Sequence, residues 1–341
     1  MGRKTFRNQI TSSELWEQVN TENKKLMQQF LKEKNTRSSD TTLKGYESDL
    51  EIFFTWNYLH NNNKFFIDIK KLELSEFFSF VMSDMRWGSA RFSRMRSVLS
   101  SFSNFIEKYF DDQYPNFRNL ILKVVENMPK VIAREKTILS EEQVDNLFKI
   151  LEEKQEYQIA CWLALAVGSG SRFAELLRFT TDVINISNLA FNDIFLETLK
   201  PIKTKGRTKS GKMLTKYIIK DIFWERYLKW LDIREKILFD NNVVDHNFIF
   251  IKSNGEPISE SIVRNWVDKI ELLLQVPFYP HCLRHYIVSY LSKIGLPYNL
   301  IKDIFGWESV DMVGLYDDLT AKDKKWDELD EFKKVLDNKK L

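Results

Sequence analysis

The amino-acid sequence predicts a mainly α-helical chain of two domains, the second a mixed α+β domain with a small antiparallel sheet. Three observations lead there. Apolar residues recur at helical spacing in one segment after another, with short polar breaks between them. Strand-like runs are confined to residues 183–219. Between the two parts, MPKVIAREK (128–136) combines Pro129 with four charges and reads as an extended linker. At 341 residues the chain is long enough for two cores. A composition of 43% hydrophobic and 29% charged residues excludes a disordered chain, a collagen and a disulfide scaffold.

Residues 1–35 read as a polar N-terminal extension, with weak helical periodicity from Ser12 to Lys34. Ser38, Ser39 and Asp40 are helix N-cap candidates. Leu43, Tyr46, Leu50, Phe53, Phe54 and Tyr58 then mark an amphipathic helix ending near His60. Leu74, Phe77, Phe78, Val81 and Met82 mark a second helix. Gly88 and Ser89 open a third, with Met95, Val98, Leu99, Phe102, Phe105, Ile106 and Tyr109 on its apolar face, and a short fourth covers 117–127. Residues 36–130 therefore read as a helical bundle.

In the second domain, residues 136–319, Ser140 and Gln143 have capping-box spacing and open a helix over 141–153. A helix over 156–168 follows, broken at Ser169–Ser171 and restarted over 174–179. Strands are expected at 183–186, 194–196, 201–205 and 213–219, with a turn at Arg207–Gly211. Helices over 222–239, 258–274, 283–294, 298–305 and 309–319 complete the domain. The tail, 320–341, is a charged helix candidate with Trp326, Leu329, Phe332 and Leu336 on one stripe. It is suited to packing on its own domain or on a neighbouring protomer.

Net charge is only +3, but it is unevenly distributed. Residues 85–106 contain Arg86, Arg91, Arg94 and Arg96 and no acidic residue, and Arg91 and Arg94 share a helix face. Residues 200–220 hold eight basic residues, among them Lys203, Lys205, Arg207 and Lys212, and again no acidic one. Both stretches suit contact with a phosphate polyanion; a solvated basic surface is the plainer alternative. Cys161 and Cys282 indicate neither a disulfide framework nor a zinc site, and a reducing compartment fits them. The longest apolar run, Ile159–Val167, is nine residues, about half a membrane span, and the first ten residues lack the apolar core of a secretory signal. A cytoplasmic protein with no membrane association is expected.

Four separated pieces carry chemistry. In GSGSRFAELL (168–177), glycines allow close backbone approach, and Glu175 follows Arg172 by three positions at a helix start, where a held guanidinium can face a phosphate. TKSGK (208–212) sits at the expected hairpin turn, where a long lysine side chain can reach into a site. In YPHCLRHY (279–286), His281 and Arg284 face one point from a helix's first turn, pairing a proton carrier with a phosphate ligand. In FGWESVDMVGLYDDL (305–319), Trp307 precedes Tyr316 by nine residues. Singly, each has a bland reading: a surface ion pair, a basic turn, a structural histidine, a half-buried tyrosine.

In this order and spacing the four pieces resemble the tyrosine recombinase, or phage integrase, family over about residues 136–319, and more weakly over the helical domain before it. The family pattern is Arg-x-x-Glu/Asp, a β-hairpin Lys, His-x-x-Arg followed by His or Lys, and a Gly-His or Gly-Trp with a Tyr nine positions on. The resemblance implies Arg172 and Arg284 as the two arginines, His281 as the histidine of His-x-x-Arg, Glu175 as the supporting acid and Tyr316 as the nucleophile. Trp307 stands where most members carry His and some carry Trp; its indole N–H still donates, but acid–base work there is lost. TKSGK looks like the family's common turn, which favours Lys209 as the catalytic lysine, with Lys205 and Lys212 left open because the strand register is not fixed.

The resemblance further implies a SAM-like helical core-binding domain at 36–130 and a chain of the simple Cre and Xer size. It implies phosphodiester cleavage by Tyr316 through a 3′-phosphotyrosyl intermediate with a free 5′-hydroxyl, and religation without ATP. Phosphoryl transfer needs charge neutralisation at the phosphoryl oxygens and an in-line nucleophile. A tyrosine phenol, with an ordinary pKa of about 10, needs a base, for which His281 is the candidate, and Lys209 is the candidate acid for the 5′-oxygen. No cofactor and no metal are expected. The implied partners are double-stranded DNA with inverted-repeat core sites and a homotetramer on two duplexes, exchanging strands through a Holliday junction. A bacterial, phage-encoded or mobile-element origin fits. The alternatives are a type IB topoisomerase or hairpin-telomere resolvase, or a DNA-binding relative without catalysis.

Overall fold

The computed structural model describes residues 10–126, 137–204, 206 and 211–317. The chain divides into two units at Glu135 and Lys136, the segment 206–211 aside. Each has its own apolar core.

Every regular element among the described residues 10–126 of the first unit is a helix. Side-chain caps set its helix starts: Ser12 opens α1 (Ser13–Gln18), Asn20 opens α2 (Thr21–Asn35) and Ser39 opens α3 (Asp40–His60), each accepting from backbone N–H groups that have no partner within the helix. The other α-helices are α4 (Lys71–Ser83), α5 (Ser89–Tyr109) and the single turn α6 (Ile121–Val124), which falls within the helix expected over 117–127. The segment read as an N-terminal extension supplies α1 and α2, and Leu26, Met27 and Phe30 of α2 are buried in the same core as α3 to α5. Aromatic rings fill that core: Phe53 meets Phe77 edge-on at 4.8 Å and Phe66 meets Phe102 at 4.9 Å.

The second unit is built on α8 (Tyr157–Ser169), which follows α7 (Glu141–Glu153) and is buried from Ile159 to Ser169. Burial on all sides explains why its apolar residues run without interruption. After α9 (Phe173–Leu176) come five short strands: β1 (Leu189–Ala190), β2 (Phe195–Glu197), β3 (Ile202–Thr204), β4 (Lys212–Leu214) and β5 (Tyr217–Ile219). They form a three-stranded antiparallel sheet in the order β1-β2-β5 and a separate antiparallel pair, β3-β4, in which Thr204 faces Lys212. Helices α10 (Lys220–Asp240), α11 (Glu260–Leu274), α12 (Pro280–Lys293), α13 (Tyr298–Phe305) and α14 (Asp311–Tyr316) complete the unit. Among the described residues no helix is long and apolar enough to cross a membrane.

Two strand expectations are corrected. Val183–Ile186 is not a strand: Thr181–Val183 is a 3-10 turn, because the backbone bonds elsewhere, Thr181 N–H to Asn247 O at 2.7 Å and Leu199 N–H to Val183 O at 2.9 Å. Residues 213–219 are not one strand but the ends of two sheets, broken at Thr215-Lys216. The break is fixed by Thr198, whose hydroxyl accepts from Lys216 N–H at 3.0 Å and whose N–H donates to Lys216 O at 2.9 Å.

Candidate active site

Gly170 ends α8 in the left-handed conformation, φ +53°, and a Cβ there would stand 2.6 Å from the Phe305 ring, so only glycine fits the turn. That turn delivers Arg172 to the N-cap of α9, whose N3 residue is Glu175. The Glu175 carboxylate is 1% exposed. One oxygen accepts from Arg172 Nη1 at 2.9 Å; the other accepts from Arg172 N–H at 3.1 Å and lies 3.3 Å from Lys216 Nζ. Burial pushes the carboxyl pKa up, but the Lys216 charge and the Arg172 hydrogen bonds outweigh it and hold the pKa at about 2.

Pro280, at the first position of α12, starts a helix that presents His281 at its exposed edge and Arg284 in its buried interior. The left-handed Gly306 ends α13 and turns the chain to Trp307, whose N–H bonds Lys302 O at 2.9 Å. Tyr316 closes α14. Its ring stacks on Trp307 at 5.0 Å between centroids and lies 6.3 Å from His281 and 4.9 Å from His285. The Arg284 guanidinium lies 4.6 Å from the Trp307 ring centre and 5.2 Å from that of Tyr316. At the end of α14 Asp317 accepts from Ser292 Oγ at 2.9 Å and from the Tyr298 hydroxyl, while Ser289 Oγ donates to Tyr316 O at 3.4 Å.

Six residues singled out in the sequence thus come together: Arg172, Glu175, His281, Arg284, Trp307 and Tyr316. The electrostatics of the group are one-sided. Arg284 is 2% exposed, and loss of solvent followed by the Arg172 charge lowers its pKa to about 10. Its Nε and Nη1, and Nε1 of Trp307, are buried donors without a hydrogen-bond acceptor among the described residues. Partial loss of solvent, then the charge of Arg284, keeps His281 below the ordinary histidine range, so it is neutral at pH 7. Convergent cationic donors beside a neutral imidazole and a phenol suit a phosphodiester. Among the described residues no three or more His, Cys, Asp or Glu gather as a metal centre would require.

The remaining sequence candidates are dispersed. Lys203 and Lys212 are exposed on the β3-β4 pair. Lys205, Arg207 and Lys209 lie outside the described residues. In the first unit Arg91 and Arg94 converge on the fully buried Asp49 of α3, at 2.8 and 2.7 Å. Arg96 donates to the Val125 and Leu122 carbonyls at 2.6 and 3.3 Å, which gives it work inside its own unit, and Arg86 is exposed in a left-handed turn. Lys216 and Asp317 were missed. Lys216 reads as one more basic residue of the 200–220 run, and only its burial distinguishes it.

The chain is similar to known proteins in sequence and in fold. The phage integrase family profile matches residues 137–323. The SPbeta prophage-derived recombinase-like protein YomM of Bacillus subtilis (strain 168) is 27% identical over 295 residues, 84% of this chain and 83% of its own. A tyrosine recombinase of Thermosipho africanus (strain TCF52B) is 21% identical over 290 residues, 82% of this chain and 89% of its own. In fold, the chain resembles XerH bound to a palindromic difH substrate in a post-cleavage complex (TM-score 0.64, 16% identity, 92% of this chain and 85% of that one). It also resembles a lambda integrase dimer bound to a COC′ core site (TM-score 0.60, 16% identity, 89% and 97%). With the profile matched over more than half its length, the chain belongs to the phage integrase family, the tyrosine recombinases.

Proposed function

We propose that the chain is a site-specific recombinase that cuts and rejoins duplex DNA through Tyr316. The observation that carries this reading is the packing of Tyr316 against Trp307 and under Arg284, beside three buried donor atoms without an acceptor among the described residues. The scissile phosphate would accept from Arg172, Arg284 and Trp307. His281, neutral at pH 7, takes the phenol proton as the Tyr316 oxygen bonds to phosphorus. The bond to the 5′-oxygen breaks, and that oxygen takes a proton, for which Lys209 of the TKSGK turn is the assigned donor and Lys205 and Lys212 the alternatives. A 5′-hydroxyl of the partner strand reverses the sequence, and two such rounds on a homotetramer pass through a Holliday junction.

A nicked duplex tests this. Duplexes with a randomised core, retained covalently by the wild-type chain under denaturing conditions, give the core site. On that site Tyr316→Phe is expected to bind without forming an adduct. An adduct in that variant equal to the wild type's excludes Tyr316. The leaving-group donor is tested by replacing the bridging 5′-oxygen with sulfur, which needs no proton. Sulfur should restore cleavage to Lys209→Ala and not to Arg172→Ala; restoration of Lys205→Ala or Lys212→Ala instead moves the role to that lysine.

A further inference from the structure

Lys216 has no place in the motif that brings the other residues together, yet its ammonium lies inside the site. The residue is 3% exposed and Glu175 1%. The backbone turns it inward at the break between β4 and β5, where Thr198 bonds both its N–H and its carbonyl. Its ammonium meets one Glu175 oxygen at 3.3 Å, while Arg172 Nη1 holds the other at 2.9 Å.

We propose that Lys216 is a positioning residue for cleavage: it matches the buried Glu175 charge from within the fold, so that Glu175 can hold Arg172 without cancelling the charge Arg172 offers the phosphate. The proposal rests on the reading of Tyr316 and the arginines given above. Arg172, Arg284 and Lys216 bring three positive charges against the one negative charge of Glu175. With Lys216 present, both guanidinium charges remain for the phosphate. Without it, Glu175 neutralises one of them, and a carboxylate buried with a single partner is costly. The charged groups acting on the pair are Arg172, at the start of α9, and Arg284 from α12; His281 of α12 and Tyr316 of α14 face those arginines in turn. Lys216 is the largest single influence holding Glu175 ionised against its burial, so the carboxyl should take up a proton more readily once Lys216 is gone. A protonated Glu175 no longer accepts from both Arg172 groups.

The experiment follows adduct formation on the nicked core-site duplex against pH, with thermal unfolding as the check on folding. Lys216→Met should bind the duplex but form adduct about a hundredfold more slowly at neutral pH, the scale of a displaced catalytic group. On the acid side a second proton, on Glu175, should join the one on His281, steepening the fall from first to second order in proton concentration. Lys216→Arg should recover most of the rate, and adding Glu175→Gln to Lys216→Met should abolish the extra steepness, because an amide does not titrate. If Lys216→Met does not fold, Lys216→Gln, which can donate a hydrogen bond to Glu175 but brings no charge, carries the same comparison. A wild-type acid limb in the Met or Gln variant, or no recovery with Arg, overturns the proposal. Mapping the wild-type adduct to Tyr316 in the same reactions checks the parent reading. With that adduct in hand, an unchanged profile counts against Lys216 alone; no adduct from any chain, wild type included, overturns both.

Discussion

Burial of Arg284 sets folding against function. A base whose pKa falls on folding is disfavoured in its charged form at every pH below its unfolded value, so at pH 7 the buried guanidinium costs stability on the order of a few kcal/mol. Arg284→Met should therefore melt higher, by roughly 2–4 °C for each kcal/mol recovered, while losing about two to three decades of cleavage rate. Differential scanning calorimetry beside adduct kinetics checks both, and a variant that melts lower would show that Arg284 is satisfied in the native state. His281 has the same sign. Its native pKa lies below the ordinary 6.5, so the unfolded chain binds a proton at mildly acid pH that the native chain does not, and stability falls as pH drops through that window. The acid midpoint of cleavage should accordingly lie below 6.5; a midpoint above it would remove His281 as the base. These residues were legible in the sequence because helical spacing converts directly into a shared face: His281 and Arg284 are three apart. Lys216 was not legible, because the contact that turns it inward comes from Thr198, eighteen positions away.

At the level of elements, helix α14 is short and depends on what holds its end. Asp317 accepts from Ser292 of α12 and Tyr298 of α13, which fixes the backbone directly after Tyr316. Each hydrogen bond to a charged group is worth about 1.5–3 kcal/mol. Asp317→Ala should raise amide exchange across residues 313–317 and slow adduct formation by about tenfold to a hundredfold. Unchanged exchange would mean that the end of α14 is held by other contacts. In the first unit, Asp49 joins α3 to α5 through Arg91 and Arg94; Asp49 is fully buried while both arginines reach solvent, so the double variant Arg91→Ala/Arg94→Ala leaves the buried carboxylate uncompensated and should lower that unit's stability by about 3–5 kcal/mol. Helices were readable to within a few residues, since periodicity and caps are local. The strands were not. Val183–Ile186 has strand-like side chains, but its neighbourhood takes backbone partners at Asn247 and Leu199, and the 213–219 run is divided between two sheets by one threonine.

For the whole molecule, two separate cores imply two unfolding events, and family membership implies a chain that acts on DNA. Residues expected to contact DNA should contribute through phosphate charge: Lys203→Ala and Lys212→Ala, both exposed, should each weaken duplex binding at low salt and flatten its salt dependence, with little sequence preference. The architecture was legible because a charged, Pro-containing linker at 128–136 separates two runs of helical periodicity, and the site because its motifs fall in family order. What lay beyond the sequence was how the interior balances its charges. Covalent joining of Tyr316 to DNA in this site is measured directly by peptide mass spectrometry of the chain trapped on a nicked core-site duplex. A nucleotide adduct is expected on the peptide carrying Tyr316, present with the wild-type chain and absent from Tyr316→Phe; an adduct mapped to Tyr286 or Tyr290 instead would exclude Tyr316 as the nucleophile.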